Sequence, residues 1–140
     1  MTVRPEDALA FGQDALDVAL EPDEGTFAGF PKLEIRFFRA SEGGGGMVEL
    51  GGTKLSLTRA QFDLVQHLVE RMRADRDQAI ELRGFSTSPR LMEVISWDTP
   101  NPSENHLKQL IRRVRKLLDN EGFGTLIESR RGFGYRVRCI

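Results

Sequence analysis

Between residues 105 and 116 the chain sets out seven side chains rich in hydrogen-bond donors: Asn105, Lys108, Gln109, Arg112, Arg113, Arg115 and Lys116. Their chemistry is recognition. Asn and Gln match adenine edges, Arg matches the O6/N7 pair of guanine, and Lys is a point charge for phosphate. A second set follows at Ser129, Arg130, Arg131 and Tyr135, around the run Arg130-Arg131-Gly132-Phe133-Gly134. A narrow tip carrying arginine suits a minor groove, where negative potential is concentrated. Chemistry of other kinds is not expected. There is no HExxH, no nucleophile beside a base, and no pair of carboxylates in a plausible pocket, so no enzyme is expected. His67 and His106 lack Cys or His partners at ligand spacing, so no metal is expected, and no motif calls for a cofactor.

These side chains need elements to aim them. Leu107, Leu110, Ile111, Val114, Leu117 and Leu118 follow helical spacing, which predicts a helix over about 102–118. At about 100° per residue, its opposite face carries Asn105, Gln109, Arg112 and Lys116, flanked by Lys108, Arg113 and Arg115. Asn101 and Glu104 have capping spacing, with Pro102 in the first turn. Residues 125–140 alternate on either side of the glycine-bearing tip, which predicts a β-hairpin. Upstream, Ser88 and Pro89 open a short helix whose apolar residues are Leu91, Met92, Val94 and Ile95. Thr58 and Gln61 form a capping box for a longer helix with the apolar face Phe62, Val65, Leu68, Val69 and Met72. Ala79, Ile80 and Leu82 are compatible with a short strand.

Residues 33–57 alternate as short strands, at Leu33–Phe38 and around a Gly51-Gly52 turn. The Gly43–Gly46 run is not followed by the GK[ST] helix opening of a phosphate loop and is read as a hairpin connector. Residues 1–30 are an acidic N-terminal segment, either a helix over about 5–20 beginning at Pro5 or a flexible tail. Residues 31–140 form the domain proper.

The net charge of −1 hides a strong asymmetry. Residues 1–30 carry seven acids and one base, residues 31–102 ten of each, and residues 103–140 nine bases and four acids. A positive excess confined to the last stretch is the footprint of a polyanionic partner. With 39% apolar and 29% charged residues, the composition is that of an ordinary globular protein. No apolar run reaches transmembrane length, no signal peptide is evident, and Cys139 is the sole cysteine, so a cytoplasmic protein without disulfides is expected.

The stretch Ile111-Arg112-Arg113-Val114-Arg115-Lys116-Leu117-Leu118, followed by Ile127-Glu128-Ser129-Arg130-Arg131-Gly132-Phe133-Gly134-Tyr135-Arg136, resembles the end of OmpR/PhoB-type winged helix-turn-helix DNA-binding domains. Leu57-Thr58 and Gln61-Phe62 stand where that family opens its first helix. The resemblance covers about residues 33–140. It implies an α+β fold with a four-stranded N-terminal antiparallel sheet, a three-helix core and a C-terminal hairpin wing. It implies double-stranded DNA as partner, in transcription regulation by a bacterial protein. The helix would lie in the major groove and the wing in the minor groove. Arg113 would read a base, Arg112 and Arg115 would meet phosphates, Arg131 would enter the minor groove, and Tyr135 would touch the backbone nearby. Helical spacing alone puts Arg112 nearer the centre of the exposed face than Arg113. Trp97, Asp98 and Thr99 stand where the family contacts RNA polymerase. A homodimer or tandem binding on DNA is compatible with the pattern. The family's usual receiver domain of about 120 residues has no counterpart in the 30 residues before the domain. Two other functions compete, a protein-interaction module on the same scaffold and a nucleoid-architectural DNA binder.

Overall fold

The computed structural model describes residues 32–42 and 44–139. The acidic segment 1–30, with its alternatives of helix or tail, lies outside the described residues. The first three elements are β1 (Ile35–Arg39), β2 (Gly46–Leu50) and β3 (Thr53–Leu57), an antiparallel sheet in the order β1-β2-β3. Pleating explains the pattern: Val48, Leu50, Leu55 and Leu57 are buried, while Lys54 and Ser56 between them are exposed. Gly51 and Gly52 make the two-residue turn between β2 and β3 with φ of 55° and 92°. A tight hairpin turn of this kind needs positive φ at both positions, which glycine adopts without strain. Among the described residues this sheet has three strands, not the four implied by the resemblance.

Three helices follow: α1 (Arg59–Ala74), α2 (Ser88–Val94) and α3 (Glu104–Asn120). The capping box of α1 is present, with the Thr58 amide donating to Gln61 Oε1 at 2.9 Å and the Gln61 amide donating to Thr58 Oγ1 at 3.3 Å. The expected apolar face is buried, and Leu64 is buried beside it. The arc is wider than a single stripe because α1 packs against β2 and β3, both other helices and the C-terminal strand. Phe62, Leu64 and Leu68 of α1, Leu91 of α2 and Leu107 of α3 are fully buried, and the three helices pack on one another.

The caps of α2 and α3 shift by one or two residues from the sequence reading. Thr87, not Ser88, caps α2, with Pro89 in the first turn. Ser103, not Asn101, caps α3, which runs from 104 to 120 rather than 102 to 118. His106 Nδ1 accepts from the Ser103 amide at 2.9 Å, taking the part usually played by Glu or Gln. The strand expected at 79–82 is absent, and residues 80–84 form turns. The Ile80 and Arg83 carbonyls accept from the Arg136 guanidinium, which satisfies them without a ladder.

The C-terminal hairpin consists of β4 (Ile127–Arg130) and β5 (Gly134–Val137), paired from Ile127↔Val137 to Arg130↔Gly134. An isolated bridge adds Ser86 to its edge, through Ser86 N to Tyr135 O at 2.8 Å and Tyr135 N to Ser86 O at 2.9 Å. The fold is α+β: a sheet, three helices of which α2 and α3 form a helix-turn-helix, and a hairpin wing. No helix among the described residues is long and apolar enough to cross a membrane.

Candidate nucleic-acid interface

Helix α3 is positioned by its apolar side. Leu107, Leu110, Ile111, Val114 and Leu118 are buried, which fixes the rotation of the helix about its axis. That rotation leaves Asn105, Lys108, Gln109, Arg112, Arg113 and Lys116 exposed. Arg115 differs. It is half-buried and donates to the Ile127 carbonyl at 3.3 Å, tying α3 to the base of the wing.

Two hollows flank this face. The first, about 590 Å³, lies between the starts of α2 and α3 and the wing. Lys108, Ser129, Arg130, Arg131 and Tyr135 line it together with Thr87 and Ser88 from the start of α2. Glu104 is its one acidic residue, seated in the first turn of α3 where the helix dipole favours a carboxylate. The second, about 330 Å³, lies between α3, the start of α1 and the loop after α2. Gln109 and Arg113 line it with Trp97, Asp98 and Thr99. Arg113 therefore stands on the loop side of α3 and Lys108 on the wing side, while Arg112 lines neither hollow.

The wing is stiffened by a network that composition does not reveal. Arg136 is only 3% exposed. It donates to Glu128 Oε1 at 2.9 Å and to the Arg83 carbonyl at 3.0 Å, and its guanidinium lies 4.3 Å from the centre of the Phe85 ring. Arg130 donates to Glu128 Oε2 at 3.2 Å and to the Glu81 carbonyl at 2.7 Å, and it packs over Phe85 and Phe133. Arg138 lies 3.7 Å from the same carboxylate. Burial pushes the Glu128 carboxyl up, but the Arg136 bond and the neighbouring arginine charges outweigh it and hold the pKa below its ordinary value. Three of the nine C-terminal bases thus surround one acid, and the raw count of charges overstates the positive field at the surface. Arg131 is the exposed arginine at the tip, in the three-residue turn closed by Phe133 N to Arg130 O at 3.0 Å.

The loop expected to meet a polymerase is anchored at its start. Trp97 is half-buried, its indole N–H donating to the Met92 carbonyl at 3.0 Å and its ring edge-on to His106 at 6.5 Å. The Ser96 amide donates to Asp63 Oδ2 at 2.9 Å, and Arg39 reaches Asp63 Oδ1 at 3.1 Å. Burial raises the Asp63 pKa, but those bonds and the Arg39 charge lower it further, so it stays ionised as a staple between α1, β1 and this loop. Asp98 is exposed. His67 shares a 2.9 Å hydrogen bond with Ser86 Oγ, and burial together with Arg90 and Arg71 lowers its pKa. Among the described residues no group of His, Cys, Asp and Glu could hold a metal ion.

The sequence reading missed the roles of Thr87 and Ser88 in the wing-side hollow and of Glu128, Arg136 and Phe85 beneath the wing. Phe85 carried a signal, as an isolated aromatic just before the α2 cap. Arg136 carried none, because an arginine in an alternating strand reads as solvent-facing.

No family model matches the chain, and no curated relative does. Solved structures do match. One is the DNA-binding domain of the response regulator AdeR in complex with an intercistronic region. It has a TM-score of 0.53 and 16% identity, and the match covers 74% of this chain and 95% of that one. Two others are a mutant of RitR (TM-score 0.49, 24% identity, 67% of this chain and 37% of that one) and a redox sensor of the streptococci evolved from two-component response regulators (TM-score 0.49, 21% identity, 87% and 44%). This chain spans less than half of those last two. The likeness to the AdeR domain is one of fold, the winged helix of response-regulator DNA-binding domains.

Proposed function

We propose that the chain binds double-stranded DNA and regulates transcription, with α3 in the major groove and the β4–β5 wing in the minor groove. The observation that carries this reading is the shared groove. Lys108 on the exposed face of α3 and the arginine-bearing wing tip border one hollow, which Lys108, Arg130, Arg131 and Tyr135 line together. A duplex lying along it would set α3 across the roughly 12 Å major groove, with Arg131 reaching the adjoining minor groove. The AdeR domain of the same fold is in complex with DNA. Asn105, Gln109, Arg112 and Arg113 are the candidate base readers. Lys108, Lys116 and the Thr87 and Ser88 hydroxyls are candidates for phosphate. Arg115 and Arg130, both engaged by the protein itself, act chiefly by holding the wing. The exposed Asp98 beside α3 is the candidate polymerase contact.

Fluorescence anisotropy with a labelled duplex pool at about 50 and 200 mM salt tests the reading, since phosphate binders lose affinity steeply over that range. Retention at low salt with a steep salt slope, and enrichment of particular sequences on repeated selection, is the expected result. No binding at low salt would leave the scaffold as a protein-interaction module. Binding without enrichment would make it an architectural binder.

A further inference from the structure

Away from the α3 face, a third hollow of about 270 Å³ opens between the start of β1, the C-terminal half of α1 and the strand leaving the wing. Its walls are Leu33, Ile35, Val69, Met72, Val137 and Cys139, and three arginines, Arg73, Arg76 and Arg83, also line it. No acidic side chain is among the described residues that line it.

We propose that this cavity binds a small amphipathic anion, an apolar body carrying a single carboxylate. The volume lies just below the usual range for drug-sized ligands, which suits a smaller one, and such sites pair an apolar lining with a few orienting polar groups. Here the orienting groups are cations. Arg73 donates one N–H to the Ile35 carbonyl at 3.2 Å, which holds its guanidinium beside the cavity. A guanidinium has five N–H donors, so others remain for a ligand. Arg76 is exposed just past the end of α1. Among the described residues neither Arg73 nor Arg76 is ion-paired with a carboxylate, whereas Arg71 of the same helix pairs with Asp75 at 3.3 Å. A ligand carboxylate would supply the missing partner in the planar geometry that arginine favours. Cys139 adds no negative charge to the wall, because burial pushes its thiol up to about 11. A neutral polar ligand would leave Arg73 and Arg76 without a counter-ion, and an inorganic anion would leave the apolar wall uncovered.

Decanoate is the probe, titrated into the full chain labelled at the methionine methyls. Among the described methionines, Met72 alone lines the cavity, while Met47 lies in β2 and Met92 in α2. Saturable movement of the Met72 resonance, with Met47 and Met92 still, is the expected result. Decanol and the Arg76→Glu variant should each bind about tenfold more weakly. Leu33→Trp, which fills the cavity from its half-exposed edge, should abolish the Met72 response. The proposal is overturned if Met72 does not move, if all three methionines move alike, if decanol binds as well as decanoate, or if Leu33→Trp leaves the response intact.

Discussion

Gly134 sits where the wing meets the start of α2, and Gly134→Ala isolates that junction. Its φ is +102°, and a Cβ there would overlap the Ser86 carbonyl oxygen while lying 2.7 Å from its carbon and 2.9 Å from Thr87 Cα. All three atoms are backbone, so no side chain can swing aside. Relief requires the wing to move off Ser86, which breaks the two bonds of the Ser86–Tyr135 bridge. Each is worth about 0.5–1.5 kcal/mol, and a non-glycine residue held at such a φ costs about 1–3 kcal/mol. The sum, about 2–6 kcal/mol, is a large share of the roughly 5–15 kcal/mol of a typical domain. Gly132→Ala is the control, because Gly132 has φ +84° with nothing within 4 Å of a new Cβ. It incurs the backbone cost alone. Urea unfolding of the two variants and the parent gives the answer. With a slope of about 1–3 kcal/mol/M, Gly134→Ala should lower the midpoint by about 1 M or more, and Gly132→Ala by clearly less. Equal midpoints for the two variants would refute the claim that the wing is pinned by close backbone contact with Ser86.

Glu128→Gln keeps an acceptor for Arg136 but removes the charge shared with Arg130 and Arg138, and should cost about 1–2 kcal/mol in denaturant unfolding. Because the folded-state pKa of Glu128 is depressed, its stabilisation is full above its ordinary value of 4.5 and is lost as pH falls through the lower folded value. The variant should therefore lose less stability than the parent as the pH is lowered below 4.5; parallel losses would count against the network. Arg113→Ala is expected to cost about 1–3 kcal/mol and relax preference at one base position. If it weakens all duplexes alike while Arg112→Ala changes preference, the reader is Arg112. Arg131→Ala should weaken binding most at sites with A·T-rich flanks, where the minor groove is narrow, and equal losses on G·C-rich flanks would exclude wing insertion.

The elements that were legible in the sequence owe it to one-sided environments. α3 buries an apolar stripe against α1 and α2 and leaves most of its opposite face to solvent, so its spacing declared both its type and most of its outward residues. The Thr58–Gln61 capping box marked the start of α1 correctly for the same local reason: both bonds close within three residues. What stayed hidden depends on contacts far apart along the chain. Arg136 reaches carbonyls more than fifty residues upstream, and those bonds turn an expected strand at 79–82 into loop. Leu64 is buried because α1 is packed on more than one side, which no single-stripe pattern anticipates. Ser103 displaced Asn101 as the cap of α3 because His106 can accept at the third helical position, a substitution for Glu or Gln that capping patterns do not include. Among the site residues, exposure on α3 could be read from periodicity, but the engagement of Arg115 with Ile127 and of Arg130 with Glu128 and Glu81 could not.

Amide chemical-shift mapping of the full chain against a selected duplex tests the central claim most directly, since it reports every element at once. The expected result is that perturbations concentrate in the exposed positions of α3 from Asn105 to Lys116, in the wing tip from Arg130 to Tyr135, and at Thr87 and Ser88. The β1–β2–β3 sheet and the cavity beside Met72 should be unmoved. Perturbation confined to the sheet, or an unchanged α3 at saturating duplex, would contradict the assignment of α3 and the wing as the DNA-binding face.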